Sequence, residues 1–171
     1  MQLTKKEKTI KYCVYAAVIV ALALVQNVRG LMPEIFGARC FLIIPACVLL
    51  GVGEDEKAAA LIGLFGGVLW DCVATGSLGF NALFIMTACY ILSVLITHLL
   101  RATFWLGVCA SALTSLLYCI VYWLVFVVSK GGDGAISTLW SFYLPSFVYT
   151  SAVSFLMNLL FVPLKRKLNK Q

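Results

Sequence analysis

From Leu78 to Leu100, from Thr103 to Ser129 and from Leu139 to Pro163 the chain carries no Asp, Glu, Lys or Arg. A helix needs about 20 apolar residues to cross roughly 30 Å of hydrocarbon, so each run is long enough to span a bilayer. Apolar runs also cover Tyr12–Val28, Cys40–Val52 and Ala58–Ala74. Together they predict an all-α fold: a single membrane domain over residues 1–171, with six transmembrane helices at about 12–28, 40–52, 58–74, 78–100, 103–129 and 139–163. The second run is short and holds Pro45, so it is expected to be a kinked span flanked by protein on several sides.

Composition agrees. The chain is 63% hydrophobic and 12% charged, about half the charge of a soluble domain. The net charge of +6 gathers at the ends as "KKEKTIK" and "KRKLNK", beside apolar spans. Anionic lipid headgroups account for that placement, and nucleic acid is not expected as a partner. With both termini cytoplasmic, the inside segments hold Lys5, Lys6, Lys8, Lys11, Lys57, Arg101, Lys165, Arg166, Lys167 and Lys170, and the outside loops hold Arg29, Arg39 and Lys130. That bias is the one that orients membrane proteins. The basic start and the following apolar run read as a retained first span rather than a cleaved signal.

The third run raises a specific problem. Ala59, Gly63, Gly67 and Asp71 recur at every fourth residue, with Gly66 beside them. Such a stripe lies on one helix face and lets a second backbone approach closely. It ends in a carboxylate about 20 Å along the axis from Lys57. A charge at bilayer depth costs on the order of 2.5–3.5 kcal/mol on insertion scales, so Asp71 must face the bundle interior. Its expected partners are the free N–H groups opening the fourth helix, the hydroxyls of Thr75 and Ser77, or Asn81. Either Thr75 or Ser77 would cap that helix. Two roles stay open for Asp71: a pin for a tight hairpin, or a proton, cation or partner-contact site.

The stretch "AAALIGLFGGVLWDCVATGSLGFNAL", after "LIIPACVLLGVG", resembles the signature region of the rod shape-determining protein MreD family over roughly residues 40–95. There a G-x-x-x-G-x-x-x-D helix runs into a turn and then G-x-x-A-L, matched here by Gly63, Gly67, Asp71, Gly79, Ala82 and Leu83, with Asn81 inside the motif. Trp70 departs from that pattern. The resemblance implies a non-enzymatic, multi-pass component of the bacterial cell membrane with an S-component-like fold and no cofactor. It further implies association with MreC, and directly or through MreC with the RodA glycosyltransferase, a class B penicillin-binding transpeptidase and MreB, with homo-oligomerisation left open. The alternative is an S component of an energy-coupling factor transporter. That would need a vitamin or metal pocket, lined by residues such as Trp70, Asn81, Tyr122, Trp123 or Trp140.

Other residues read more plainly. Ala17 and Ala21 in the first run have small-x-x-x-small spacing and are expected to pack internally, although a similar pair in S components meets the coupling subunit. The seven cysteines form no C-x-x-C pair and read as small hydrophobes. His98 reads as an interfacial residue near Arg101, and Asp133 as part of a glycine-rich turn. Glu54, Asp55, Glu56 and Lys57 form a charged turn whose acids would favour the N-terminus of the third helix. Gln26 and Asn158 are expected to bond across helices. No G-x-S-x-G, no H-E-x-x-H and no second histidine points to an enzyme.

Overall fold

A computed structural model of the chain describes residues 5–28, 39–73, 79–98, 103–129 and 135–168. Helices occupy Lys5–Asn27 (α1), Ile43–Gly51 (α2), Glu56–Asp71 (α3), Phe80–His98 (α4), Phe104–Trp123 (α5), Ala135–Thr138 (α6) and Leu144–Leu168 (α7). A π-helical turn, Leu124–Val128, prolongs α5, and a second, Leu139–Tyr143, joins α6 to α7. The described chain is thus six continuous helical rods without a strand. Thr75, Ser77, Arg101 and Asp133 lie outside the described residues.

Four rods are long and apolar enough to cross a membrane: Lys5–Asn27, Phe80–His98, Phe104–Val128 and Ile136–Leu168. The other two are shorter. α3 has 16 residues, about 24 Å at 1.5 Å per residue. α2 has nine, about 14 Å, and all of them are buried. It is a core helix enclosed by α1, α3, α4, α5 and α7. Pro45 is its third residue. The ring sits in the first turn, where its missing N–H would have no helical partner anyway.

Because α2 is short and enclosed, side chains from other rods satisfy its ends. Gln26 Oε1 accepts the Ile43 N–H at 3.0 Å, and Lys165 Nζ donates to the carbonyls of Leu49 and Val52 at 2.7 and 2.5 Å. The extended lead into α2 runs along α7, where Ser146 Oγ and Thr150 Oγ1 each accept a backbone N–H, from Arg39 and Phe41, at 3.1 Å. Ser146, Thr150 and Ser154 recur every fourth residue on the fully buried face of α7. Their small size lets α7 close on α2 and α5.

Around α2 the core is apolar: Tyr15, Ile19, Leu42, Ile43, Ile44, Leu50 and Ile85 are all essentially inaccessible. The outward faces are apolar too, including Leu24, Leu61, Leu83, Ile91, Leu113, Leu156 and Leu160. A water-soluble helix would carry charge there, whereas a lipid-facing one does not need it.

Candidate functional site: the α3–α4 clamp and the α2–α3 turn

α3 and α4 pack over their whole length, and glycine makes that possible. A β-carbon on Gly63 would stand 2.7 Å from the Ile85 carbonyl oxygen, and one on Gly67 would overlap the Ala82 Cα and stand 2.7 Å from the Asn81 carbonyl oxygen. Both obstacles are backbone, so neither can swing away. Gly66 points elsewhere, toward the Cys47 sulfur of α2 and Ile19 of α1, and Ala59 packs against Gly51. The expected single stripe therefore serves two neighbours: Gly63 and Gly67 meet α4, whereas Ala59 and Gly66 meet α2.

This close approach delivers Asp71 to the start of α4. Its Oδ1 accepts the Asn81 side-chain amide at 2.8 Å and the Asn81 backbone N–H at 3.3 Å, while Oδ2 accepts the Ala82 N–H at 2.9 Å. Asn81 and Ala82 are the second and third residues of α4, so the carboxylate caps a helix that it does not belong to. Negative charge is favoured there by the free N–H groups and the helix dipole. Asn81 completes the chain by accepting the Tyr118 O–H on Oδ1 at 2.7 Å. Asp71 and Asn81 are 7% and 1% exposed; their bonds meet the condition for burying such groups. Gly79, exposed with φ +84° and nothing within 4 Å of a notional β-carbon, serves the turn rather than the contact.

Aromatic rings seal this end. Trp70 lies 5.1 Å from Tyr118 and 5.6 Å from Phe41, and Phe84 and Tyr122 lie 5.4 and 5.6 Å from Tyr118. Of the residues a transport pocket would use, Trp70, Asn81 and Tyr122 are gathered here as packed rings around a bonded amide. Trp140 is 68% exposed.

Sequence reasoning missed a second polar cluster at the opposite end of α3. Lys11 Nζ lies 2.6 Å from Glu54 Oε1, which also accepts the Tyr15 O–H at 3.1 Å; Ser93 Oγ donates to the Glu54 carbonyl at 2.9 Å. Lys11 and Glu54 are both buried. Lys11 is therefore not simply a headgroup cation, and Glu54 is committed to α1 rather than to the N-terminus of α3. Asp55 occupies that N-cap without a side-chain bond to the helix. Lys165 reaches the same turn through Val52, which brings both ends of the described chain to one side of the bundle. The only sequence signal for this pairing was the sequence of residues itself, an acid and two lysines each bordering an apolar run.

Ala17 and Ala21 are exposed, a correction to their expected internal packing: α1 turns Lys11, Tyr15, Ile19 and Ala23 inward instead. His98 Nε2 lies 3.2 Å from Glu56 Oε1. Asn158 donates to the Phe104 carbonyl at 2.9 Å, across helices as expected. All seven cysteines are free. Among the described residues no three His, Cys, Asp or Glu side chains gather in a metal-binding arrangement. Comparison of the chain with family models, curated proteins and solved structures returned no match.

Proposed function

We propose that the chain is a non-enzymatic scaffold of the bacterial cell membrane, of the MreD type, with six membrane-embedded helices and both termini cytoplasmic. It would bind MreC and, directly or through MreC, help to position the RodA glycosyltransferase, a class B penicillin-binding transpeptidase and MreB during wall elongation. The support is the motif Gly63, Gly67, Asp71, Gly79, Asn81, Ala82 together with one observation: both oxygens of Asp71 are occupied by donors from the first turn of α4. An intramembrane acid in a transporter or enzyme is expected to face a cavity or a mobile partner. Here it holds a hairpin shut, which suits a bundle that acts through its surfaces. A partner helix docking on such a surface acts by favouring one arrangement of the complex over another.

The test is depletion in a rod-shaped host joined to a tagged pull-down from native membranes. Rounding of the cells and recovery of a single-span coiled-coil protein of the MreC kind are the expected results. Unchanged shape with intact MreC complexes would defeat the reading, as would stabilisation of the purified protein by a vitamin or metal ion.

A further inference from the structure

Glu54 stands between two lysines. Lys11 of α1 pairs with its carboxylate at 2.6 Å. Lys165 of α7 rests on the Val52 carbonyl, two residues before it, and its charge also acts on Glu54. Two ammoniums thus share one carboxylate, and the one that is not paired with it is held by the neutral carbonyls of Leu49 and Val52. An ammonium has three N–H donors, so Lys165 can bond both carbonyls and still offer one donor to a carboxylate. α1 itself is tied down by polar bonds near its two ends: Gln26 accepts the Ile43 N–H, and Lys11 and Tyr15 hold Glu54. Between those ties only every fourth residue turns inward, and a smaller share of α1 is buried than of the other three long rods. An apolar groove of about 300 Å³, lined by Tyr12, Ala16, Ile62 and Phe65 among others, already parts α1 from α3.

We propose that Glu54 is the pivot of a two-position latch on α1. In the position described it holds Lys11, and α1 is docked. In the other it takes Lys165, Lys11 is released toward the headgroups, and α1 tilts away from α3 about its tie at Gln26 while α2, α3, α4, α5 and α7 stay packed. Breaking a buried ion pair outright strands a charge. Handing Glu54 from one ammonium to another does not, and that is what brings the second position within reach. The lever is long: Gln26 and Lys11 are about 22 Å apart along the helix, so a small rotation at Gln26 carries the far end of α1 well clear and widens the groove along Tyr12 and Ala16. The latch is a bistable element whose populations follow the partner that Glu54 holds.

The test uses the full-length protein in lipid nanodiscs, with a trifluoromethyl label on Cys13, an exposed thiol of α1 two residues from Lys11, and with the exposed Cys72 and Cys109 replaced by serine. Saturation-transfer fluorine NMR then counts the arrangements of α1, minor ones included. Lys11→Met should raise the second arrangement severalfold, because Glu54 turns to Lys165. Lys165→Met should lower it, because Glu54 has no second partner to take. In chemical unfolding the loss from Lys11→Met with Lys165→Met should exceed the sum of the two single losses, and in a Glu54→Gln background that excess should vanish. A label that reports one unchanging arrangement, or populations that both lysine substitutions move in the same direction, would overturn the proposal. So would additive losses, or a combined loss below the sum, the result expected if the two ammoniums merely repel each other. The opposite responses of the two single variants decide the matter even where the double variant fails to fold.

Discussion

Lys11 of α1 and Glu54 of the α2–α3 turn, 43 residues apart in sequence, meet at 2.6 Å with each side chain less than a tenth exposed. Removing one partner leaves a buried charge alone, which typically costs about 3–5 kcal/mol. Lys11→Met and Glu54→Gln should each lower the unfolding temperature markedly, and the double variant should recover most of the loss. Additive losses in thermal unfolding would show that the two groups act independently.

Gly67→Ala and Gly63→Ala force a β-carbon against the backbone of α4. Overpacking of this kind costs about 1–3 kcal/mol, and neither obstacle is a side chain that can rotate. Gly79→Ala meets no atom and suffers only from its φ of +84°, a penalty of about 1–2 kcal/mol. Chemical denaturation should therefore rank Gly67→Ala as the most damaging of the three.

Asp71→Asn keeps the shape but turns one oxygen into a donor. One of the three donors that Asp71 now accepts then faces another N–H. The expected loss is about 1–3 kcal/mol of stability, with the complex proposed above retained below the new unfolding temperature. A variant as stable as the parent that no longer recovers its partner would instead assign the charge itself to binding.

Tyr118→Phe retains the ring among Trp70, Phe41 and Phe84 but removes the O–H that Asn81 accepts. It should cost about 1–2 kcal/mol. Tyr118→Ala also empties the ring's place and should cost about 3–5 kcal/mol. Comparable unfolding temperatures for the two variants would contradict the sealing role given to the ring.

The rods were legible in the sequence because apolar runs bounded by charges and glycines are long-range-independent signals. α4 at Phe80–His98 and the rod Phe104–Val128 fall within two residues of their expected bounds. The bonds of Asp71 to Asn81 and to the first turn of α4 were also legible, since helix spacing fixes the stripe and the next helix begins at Phe80, only nine residues on. Pairings across the bundle were not. Nothing local distinguishes Lys11 in a buried ion pair from Lys11 among headgroups, or an inward Ala17 from an outward one. Such choices depend on which faces meet, and that is set by rods distant along the chain. The Ser146, Thr150 and Ser154 repeat carried the same four-residue signal as the glycines, and its burial on α7 follows the same rule.

α2 has an order of assembly written into it. Its opening N–H is received by Gln26, which precedes it, but its closing carbonyls wait for Lys165, more than a hundred residues later. While ribosomes are still making α7, the carbonyls of Leu49 and Val52 lack the ammonium that later bonds them. Maturation of the bundle is therefore a late event, completed when the last rod docks. Chains cut short before Lys165 leave the carbonyls of Leu49 and Val52 without that donor, so the last rod is what closes the end of the innermost helix.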